Sequence, residues 1–128
     1  MKYSWAFLCD NIKDGKTLVD FDRTRTMQTA YENFNAYLSK NNSTMKNYIL
    51  THHVFSPRDT ALVLNKYPYA LQKGIYHYVL FALQPLDSSS IQHEIQVKFK
   101  NRPVVWFINP LYLQSIKDLW HCHIFIRT

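Results

Sequence analysis

The sequence predicts an α+β domain with a mainly antiparallel sheet. Apolar residues recur at helical spacing in the first half of the chain, whereas the second half carries short runs of β-branched and aromatic residues. One helical pattern separates two pairs of predicted strands in that second half, an order typical of α+β folds. The 128 residues are predicted to form a single domain, 1–128, with a helical part in residues 1–55 and a sheet part in residues 60–128.

Three helices are predicted in the N-terminal part. The first is indicated by apolar residues three and four positions apart between Trp5 and Ile12, ahead of Gly15, where a helix would stop. The second has an apolar stripe from Met27 to Leu38 and begins near Thr26, a predicted N-cap. A third, shorter helix is predicted around Met45 to Ile49.

The C-terminal part is predicted to contain two pairs of strands separated in sequence by one helix. Ser89 and Gln92 have the spacing of a capping box, and Ile91, Ile95 and Phe99 mark one face of the helix that follows. The predicted strands and apolar runs are Ala61 to Leu64, Ile75 to Leu83, Val104 to Ile108 and Trp120 to Ile126. An antiparallel sheet built from these segments accounts for the predicted fold class.

The composition restricts the classes of partner and compartment. Fifteen Lys and Arg against nine Asp and Glu give a net charge of +6, which favours a nucleotide, a phosphorylated metabolite, RNA or an acidic protein as partner. Cys9 and Cys122 make no disulfide framework, so free thiols in a reducing compartment are expected. No apolar run approaches the ~20 residues of a membrane span, and the run from Trp5 to Cys9 is too short for a signal peptide. A cytoplasmic protein without membrane association is predicted.

The first candidate site is the histidine pair near the C-terminus. On a strand, side chains alternate between faces, so Cys122, Ile124 and Ile126 are predicted on one buried face, and His121 and His123 on the other. Cα atoms two positions apart lie roughly 7 Å from each other, which lets both imidazoles address one phosphate or one metal ion. The alternative is a half-exposed strand that carries two polar histidines without a function.

A third histidine lies in the strand from Ile75 to Leu83. His77 shares a strand face with apolar residues, so it is either a satisfied core residue or a neighbour of His121 and His123. If it belongs to the site, its ring is expected to approach one of theirs in the fold.

The region from about residue 60 to 127 resembles the histidine-triad (HIT) superfamily. In those proteins an Asn-x-x-Pro turn leads to a Gly-His and an apolar strand, followed by Asn, then Gln or Ser, then His-x-His-x-His. The matching pieces here are Asn65 to Tyr69, His77 to Leu80, Asn109, Ser115 and His121-x-His123.

A resemblance along nearly the whole chain is to a family of unknown function that includes fungal N-acetylglucosamine-induced proteins and relatives in large DNA viruses. The matching residues begin with Trp5, Leu8, Ile12 and Gly15, continue with Arg23, Tyr31, Asn65-x-x-Pro68-Tyr69 and Gly74 to Leu80, and end with Trp106-Phe107-x-Asn109 and Leu113 to Ile116 before the histidine pair.

The HIT resemblance implies a nucleotide hydrolase or transferase that acts through a covalent nucleotidyl-histidine. By position, His123 would attack the α-phosphate and His121 would assist. His77, Asn109, Ser115 and Asn65 would bind the ligand or orient the imidazole. The sequence departs from the HIT pattern at the third triad position, where Phe125 cannot hydrogen-bond to phosphate.

Other functions stay open at this point. A non-catalytic ligand- or protein-interaction module fits the same residues, and RNA binding is compatible with the net charge, although no RNA-recognition signature is present. Three histidines would also suit zinc, but no carboxylate or cysteine at ligand spacing supports a metal site. Neither a metal nor a cofactor is therefore predicted, and a homodimer is left open.

Overall fold

The computed structural model describes residues 2–55, 58–110, 114, 116 and 118–128. The elements in chain order are α1 (Trp5–Asn11), β1 (Ile12–Lys13), β2 (Lys16–Thr17), α2 (Arg25–Lys40), α3 (Met45–His52), β3 (Thr60–Leu64), β4 (Ile75–Ala82), α4 (Ser88–Phe99), β5 (Val104–Phe107) and β6 (Trp120–Arg127). Four strands form an antiparallel sheet in the order β3-β4-β6-β5. The predicted α+β class with an antiparallel sheet is confirmed.

A two-residue hairpin, absent from the sequence-based prediction, follows α1. Ile12 pairs with Thr17 across the turn at Asp14 and Gly15, which both have positive φ. Asp-Gly favours such turns because both residues tolerate the left-handed conformation. A Cβ on Gly15 would lie 2.8 Å from the Trp106 ring, so the hairpin approaches β5 as closely as a glycine allows.

The predicted helix caps each lie two residues from the observed ones. The hydroxyl of Thr24, rather than that of Thr26, accepts from the Met27 backbone N–H at the start of α2. Asp87, rather than Ser89, caps α4 and accepts from the Ser90 N–H at 2.8 Å. Ser, Thr and Asp all satisfy free helix N–H groups, so the local sequence offered several equivalent caps.

One face of the sheet packs against α4. The apolar core there consists of Leu80, Cys122, Ile124 and Ile126 from the strands with Ile91, Ile95 and Phe99 from the helix. The buried Thr60 hydroxyl on the same face donates to the Glu94 carboxylate of α4 at 3.0 Å. These residues are the predicted apolar face of β6 and the predicted face of α4.

The opposite face is covered by the N-terminal elements. Two apolar clusters lie there, Leu8, Ile12, Phe107 and Phe125 in one, and Ile49, Val79, Phe81 and Leu119 in the other. His77, His121 and His123 lie on this face too, and their rings are in contact with those of Phe125, Phe81 and Phe107, respectively.

The alternation predicted for β6 is confirmed, but the half-exposed strand considered as an alternative is wrong. His77, His121 and His123 retain 1%, 3% and 6% of their exposure. Both faces of β6 are buried because α1 and α3 contribute Leu8 and Ile49 to the clusters on the histidine face. Within the described part of the chain, no helix is both long enough and apolar enough to cross a membrane.

Candidate ligand pocket and histidine network

Strand pairing brings His77 and His123 together. Phe125 of β6 is opposite His77 of β4, and Val79 is opposite His123, so the two histidines are diagonal neighbours on one face. Nε2 of His77 lies 2.8 Å from Nδ1 of His123. The expected approach of His77 to the C-terminal pair is confirmed.

The Asn-x-x-Pro-Tyr segment determines the tautomer of His77. The side-chain oxygen of Asn65 accepts from the Tyr67 N–H, which turns the chain so that the Tyr69 N–H donates to His77 Nδ1 at 3.2 Å. The Asn65 amide nitrogen also lies 3.5 Å from this atom. Because Nδ1 accepts, a neutral His77 carries its proton on Nε2 and donates it to His123.

Asn109 completes this network on the far side of His123. Since Nδ1 of His123 accepts from His77, a neutral His123 carries its proton on Nε2. The Asn109 side-chain nitrogen lies 3.3 Å from that Nε2 and 3.2 Å from the Tyr69 hydroxyl. Rotating the carboxamide by 180° replaces the nitrogen by the oxygen, which can accept from both groups, and the proton pattern favours this orientation.

His121 has the opposite tautomer. Its Nδ1 lies 2.9 Å from the Leu119 carbonyl oxygen, an acceptor, so Nδ1 carries the proton. Nε2 of a neutral His121 is then unprotonated, and it makes no hydrogen bond with the described residues. His121 is also a lining residue of the cavity between the sheet and the N-terminal helices.

All three histidines are neutral at pH 7. Burial, reinforced by the positive charge of Arg23, lowers the pKa of His77 to about 3. Burial and the neighbouring His77, His121 and Arg23 lower the pKa of His123 well below its usual value. Burial also lowers the pKa of His121, against the opposing effect of its bond to the Leu119 carbonyl.

A cavity of about 90 Å³ lies on the histidine face, between the sheet, α2 and α3. Its walls are mostly aromatic and aliphatic, and His121 and His123 are part of the lining. Besides the histidines, the aromatic and cationic lining residues are Arg23, Tyr31, Phe34, Tyr48, Lys66, Tyr67 and Phe81. None of the described residues that line it is acidic, so its electrostatic potential favours an anion.

Arg23 lies in the wall of this cavity, and neither of its two hydrogen-bond partners among the described residues carries a negative charge. Nε donates to the Tyr67 carbonyl at 2.7 Å, and one terminal nitrogen donates to the Gln28 side-chain oxygen at 3.2 Å. The guanidinium lies 4.2 Å from the centre of the Tyr31 ring. Pairing of Arg23 with a carboxylate, the expectation for a structural arginine, is not found among these contacts.

Lys66 supplies a second cation. Its Nζ donates to the Tyr48 hydroxyl at 3.2 Å and lies 5.6 Å from the centre of that ring. Lys66 is exposed, whereas Arg23 is half-buried, so the two differ in how strongly water screens their charges.

A second cavity, of about 230 Å³, lies beside His77. Its lining includes Leu64, Pro68, Leu71 and Tyr76 but, among the described residues, no charged side chain. It therefore lacks the cations that would hold an anionic ligand.

Four of the predicted site residues, His77, Asn109, His121 and His123, come together in the fold. Asn65 orients His77 and also lines the cavity. Ser115 lies outside the described residues. Sequence reasoning did not place Arg23, Tyr31 and Lys66 at the site, although Arg23 and Tyr31 belong to the residues shared with the fungal family.

The histidines are poorly arranged for a metal ion. Both nitrogens of His77 are engaged, one by the Tyr69 N–H and the other by His123. Within the described ranges, no group of three or more His, Cys, Asp or Glu side chains is placed to hold a metal.

The fold and the pocket define a class: an α+β domain whose antiparallel sheet carries a buried neutral histidine network on one face, next to an aromatic and cationic cavity. Residues 4–127 match the family model "Protein of unknown function (DUF3605)", and the chain belongs to that family. N-acetylglucosamine-induced protein 1 of Candida albicans is 21% identical, in an alignment that covers 98% of this chain and 68% of the relative. The predicted membership of a family with fungal N-acetylglucosamine-induced proteins is confirmed.

A solved structure has the same fold. The crystal structure of a protein called HTC1 aligns with a TM-score of 0.72 at 20% identity, over 98% of this chain and 85% of the other. At this identity the similarity concerns the fold. The resemblance to histidine-triad proteins stays a prediction.

Proposed function

We propose that this protein binds a phosphorylated small molecule, a nucleotide or a phosphorylated metabolite, in the cavity between the sheet, α2 and α3. The observation that carries the proposal is the pairing of Arg23 and Lys66 with aromatic walls and no acidic residue in the described lining. Arginine and lysine bind phosphate through charge-assisted hydrogen bonds, and aromatic rings pack against bases or sugars.

The cavity size indicates how such a ligand would be placed. About 90 Å³ is smaller than the ~150 Å³ cavity that accommodates a benzene ring, so the enclosed part takes a small group and the rest of the ligand lies towards the mouth. The exposed Lys66 suits a phosphate at the mouth, and the half-buried Arg23 suits its inner side.

Binding without catalysis is favoured over covalent catalysis by His123. A nucleophilic imidazole needs an unprotonated nitrogen that faces the ligand. On His123, Nδ1 accepts from His77 and Nε2 carries the proton, so neither nitrogen presents a free lone pair. Phe125 at the third triad position removes one further phosphate-binding group.

A nucleotidyl transferase is the second candidate, with His121 rather than His123 as nucleophile. The observation in its favour is the tautomer of His121, whose Nδ1–H bond to the Leu119 carbonyl leaves Nε2 unprotonated. Mass spectrometry of protein quenched after mixing with a dinucleoside polyphosphate would detect a nucleotidyl adduct, and His121→Asn would abolish it. RNA binding and a homodimer stay predictions.

Calorimetric titration tests the binding proposal. AMP, glucose 6-phosphate and phenyl phosphate are titrated into the wild type, Arg23→Gln and the matched exposed control Arg25→Gln. We expect at least one probe to bind, and Arg23→Gln to weaken it about 10- to 100-fold, as for loss of a charge-assisted hydrogen bond. Lys66→Gln with the control Lys73→Gln repeats the comparison in case Arg23→Gln perturbs the fold. Binding by none of the probes, or equal binding by both members of each variant pair, would contradict the proposal.

A further inference from the structure

Two polar atoms in the wall of the cavity have no protein partner among the described residues. The Tyr31 hydroxyl is buried and makes no hydrogen bond there, and the whole residue is 8% exposed. Nε2 of His121 is likewise unpaired, because the described hydrogen bond of this ring uses Nδ1. Both residues line the same cavity.

A buried polar atom without a partner among the described residues, such as the Tyr31 hydroxyl, calls for a complementary group. Most buried polar atoms in proteins have a partner, and one that has none in the protein chain is satisfied by water or by a ligand. Phenylalanine would fill the position of Tyr31 with the same ring and would leave no hydroxyl without a partner. The hydroxyl is therefore unexplained by packing.

The proton positions specify the kind of partner. Nε2 of His121 is an acceptor, so the group opposite must donate. A phosphate at neutral pH offers oxygens that accept, so it belongs with Arg23 and Lys66 and not with His121. A hydroxyl can donate to an imidazole nitrogen and also accept from a phenol, whereas an N–H group can only donate.

We infer that the cavity selects phosphorylated ligands that also carry a hydroxyl group, and that His121 and Tyr31 are the specificity-determining residues for that hydroxyl. This inference rests on the proposed function, since the phosphate-binding residues orient the ligand. The ligand class is a sugar phosphate or a nucleotide with its ribose hydroxyls. The two sources share the same chemistry and are separated by the choice of probe.

The experiment compares matched probes by calorimetric titration. AMP is compared with 2′,3′-dideoxyadenosine monophosphate, and glucose 6-phosphate with 2-deoxyglucose 6-phosphate, while phenyl phosphate serves as a phosphate without a hydroxyl. In the wild type, we expect the hydroxylated member of at least one pair to bind about 3- to 10-fold more tightly, the range for one neutral hydrogen bond.

Substitutions in the cavity wall test which residues cause the preference for the hydroxylated ligand. Tyr31→Phe and His121→Leu should each reduce the ratio of the two dissociation constants towards one. His121→Gln, which restores an acceptor, should recover part of it. Tyr37→Phe, on the exposed face of the same helix, is the matched control and should change nothing.

The outcomes separate the two proposals. If phenyl phosphate binds and depends on Arg23, but the hydroxyl preference is absent or survives both Tyr31→Phe and His121→Leu, the hydroxyl inference is wrong and the phosphate pocket stands. If no probe binds, the proposed function fails and this inference fails with it. A covalent adduct on His121 would also overturn the inference, because Nε2 would then face phosphorus rather than a hydroxyl.

Discussion

The two faces of the central sheet are both buried, but they are built from different side chains. The face towards α4 is mostly apolar, with Cys122, Ile124 and Ile126 contributed by β6, and its buried polar residue Thr60 donates to the Glu94 carboxylate of α4. The face towards the N-terminal helices includes three neutral histidines and the wall of a cavity. Neutral buried imidazoles and an unfilled cavity add less stability than apolar packing of the same volume.

This difference indicates a division of roles within eight consecutive residues. Alternation along β6 places every second side chain against α4, where it contributes to folding, and the intervening side chains on the histidine face. Substitutions on the α4 face should therefore change the free energy of unfolding without changing ligand selectivity. Substitutions on the histidine face should change both, in proportions that depend on the hydrogen bonds lost.

The largest expected effect is on the α4 face. Ile124 is fully buried, and Ile124→Ala should lower the free energy of unfolding by about 2–5 kcal/mol through lost burial and the cavity that remains. Urea denaturation measures the change. Val97→Ala, at an exposed position of α4, should stay within about 0.5 kcal/mol. Altered ligand selectivity of folded Ile124→Ala protein would contradict the division of roles.

Breaking the His77–His123 bond should have the next largest effect. His77→Leu fills a similar space but leaves the Tyr69 N–H and His123 Nδ1 without their partner. An unpaired buried polar group costs about 1–3 kcal/mol, so a loss of about 2–4 kcal/mol is expected in denaturant unfolding.

The double variant His77→Leu/His123→Leu tests whether that cost comes from the pair. Replacing both rings removes the unpaired nitrogen of His123, so the double loss should be smaller than the sum of the two single losses. Additive losses would mean that the two rings contribute separately, through packing alone.

The third effect is a pH dependence of stability that arises on the histidine face. His77 has a pKa of about 3 in the folded protein against an ordinary value of 6.5, so between these pH values the unfolded chain binds a proton that the folded protein does not. Its stabilising contribution is complete above pH 6.5 and is lost as pH falls towards 3. The slope approaches about 1.4 kcal/mol per pH unit for each such histidine.

Urea denaturation from pH 7 to pH 4 measures this slope. His77→Leu should reduce it by the amount expected for one proton, and His93→Gln, at an exposed position, is the control. A slope that is the same in His77→Leu and wild type would show that His77 is not buried in its neutral form.

Much of this comparison could be predicted from the sequence. Alternation separates Ile124 from His123 within one strand, and the approach of His77 to the C-terminal histidines, expected if His77 belongs to the site, is found. Burial of the histidine face could not be predicted, because it depends on Leu8 and Ile49, which come from distant helices with no pairing rule to place them.

The cavity could not be predicted either, for the same physical reason. Arg23 and Tyr31 are about 100 and 90 residues from His121 in sequence, and only tertiary contacts, such as the Arg23 bond to the Tyr67 carbonyl, bring them to one cavity. The tautomers of His77 and His121 could not be predicted from the sequence either. Each depends on which backbone group happens to face the ring: a donor, the Tyr69 N–H, at His77, and an acceptor, the Leu119 carbonyl, at His121.

The smallest expected effect concerns the outer end of the histidine network. Asn109→Ala removes the partner of His123 Nε2 and of the Tyr69 hydroxyl at a half-buried position where water can partly replace it. The free energy of unfolding should fall by about 1 kcal/mol, against a negligible change for the exposed control Asn101→Ala. Asn109→Asp should retain an acceptor at this position, and its carboxylate should raise the pKa of His123 by favouring the protonated ring.

Nitrogen-15 NMR of the imidazoles in the wild type and in Asn109→Ala provides the decisive measurement. Wild type and Asn109→Ala should both show protons on Nε2 of His77 and His123 and on Nδ1 of His121, because His77 and not Asn109 determines the tautomer of His123. A proton on Nδ1 of His123 in either protein would reverse the direction of the His77–His123 bond and leave Nε2 of His123 unprotonated, which would remove the argument against His123 as a nucleophile.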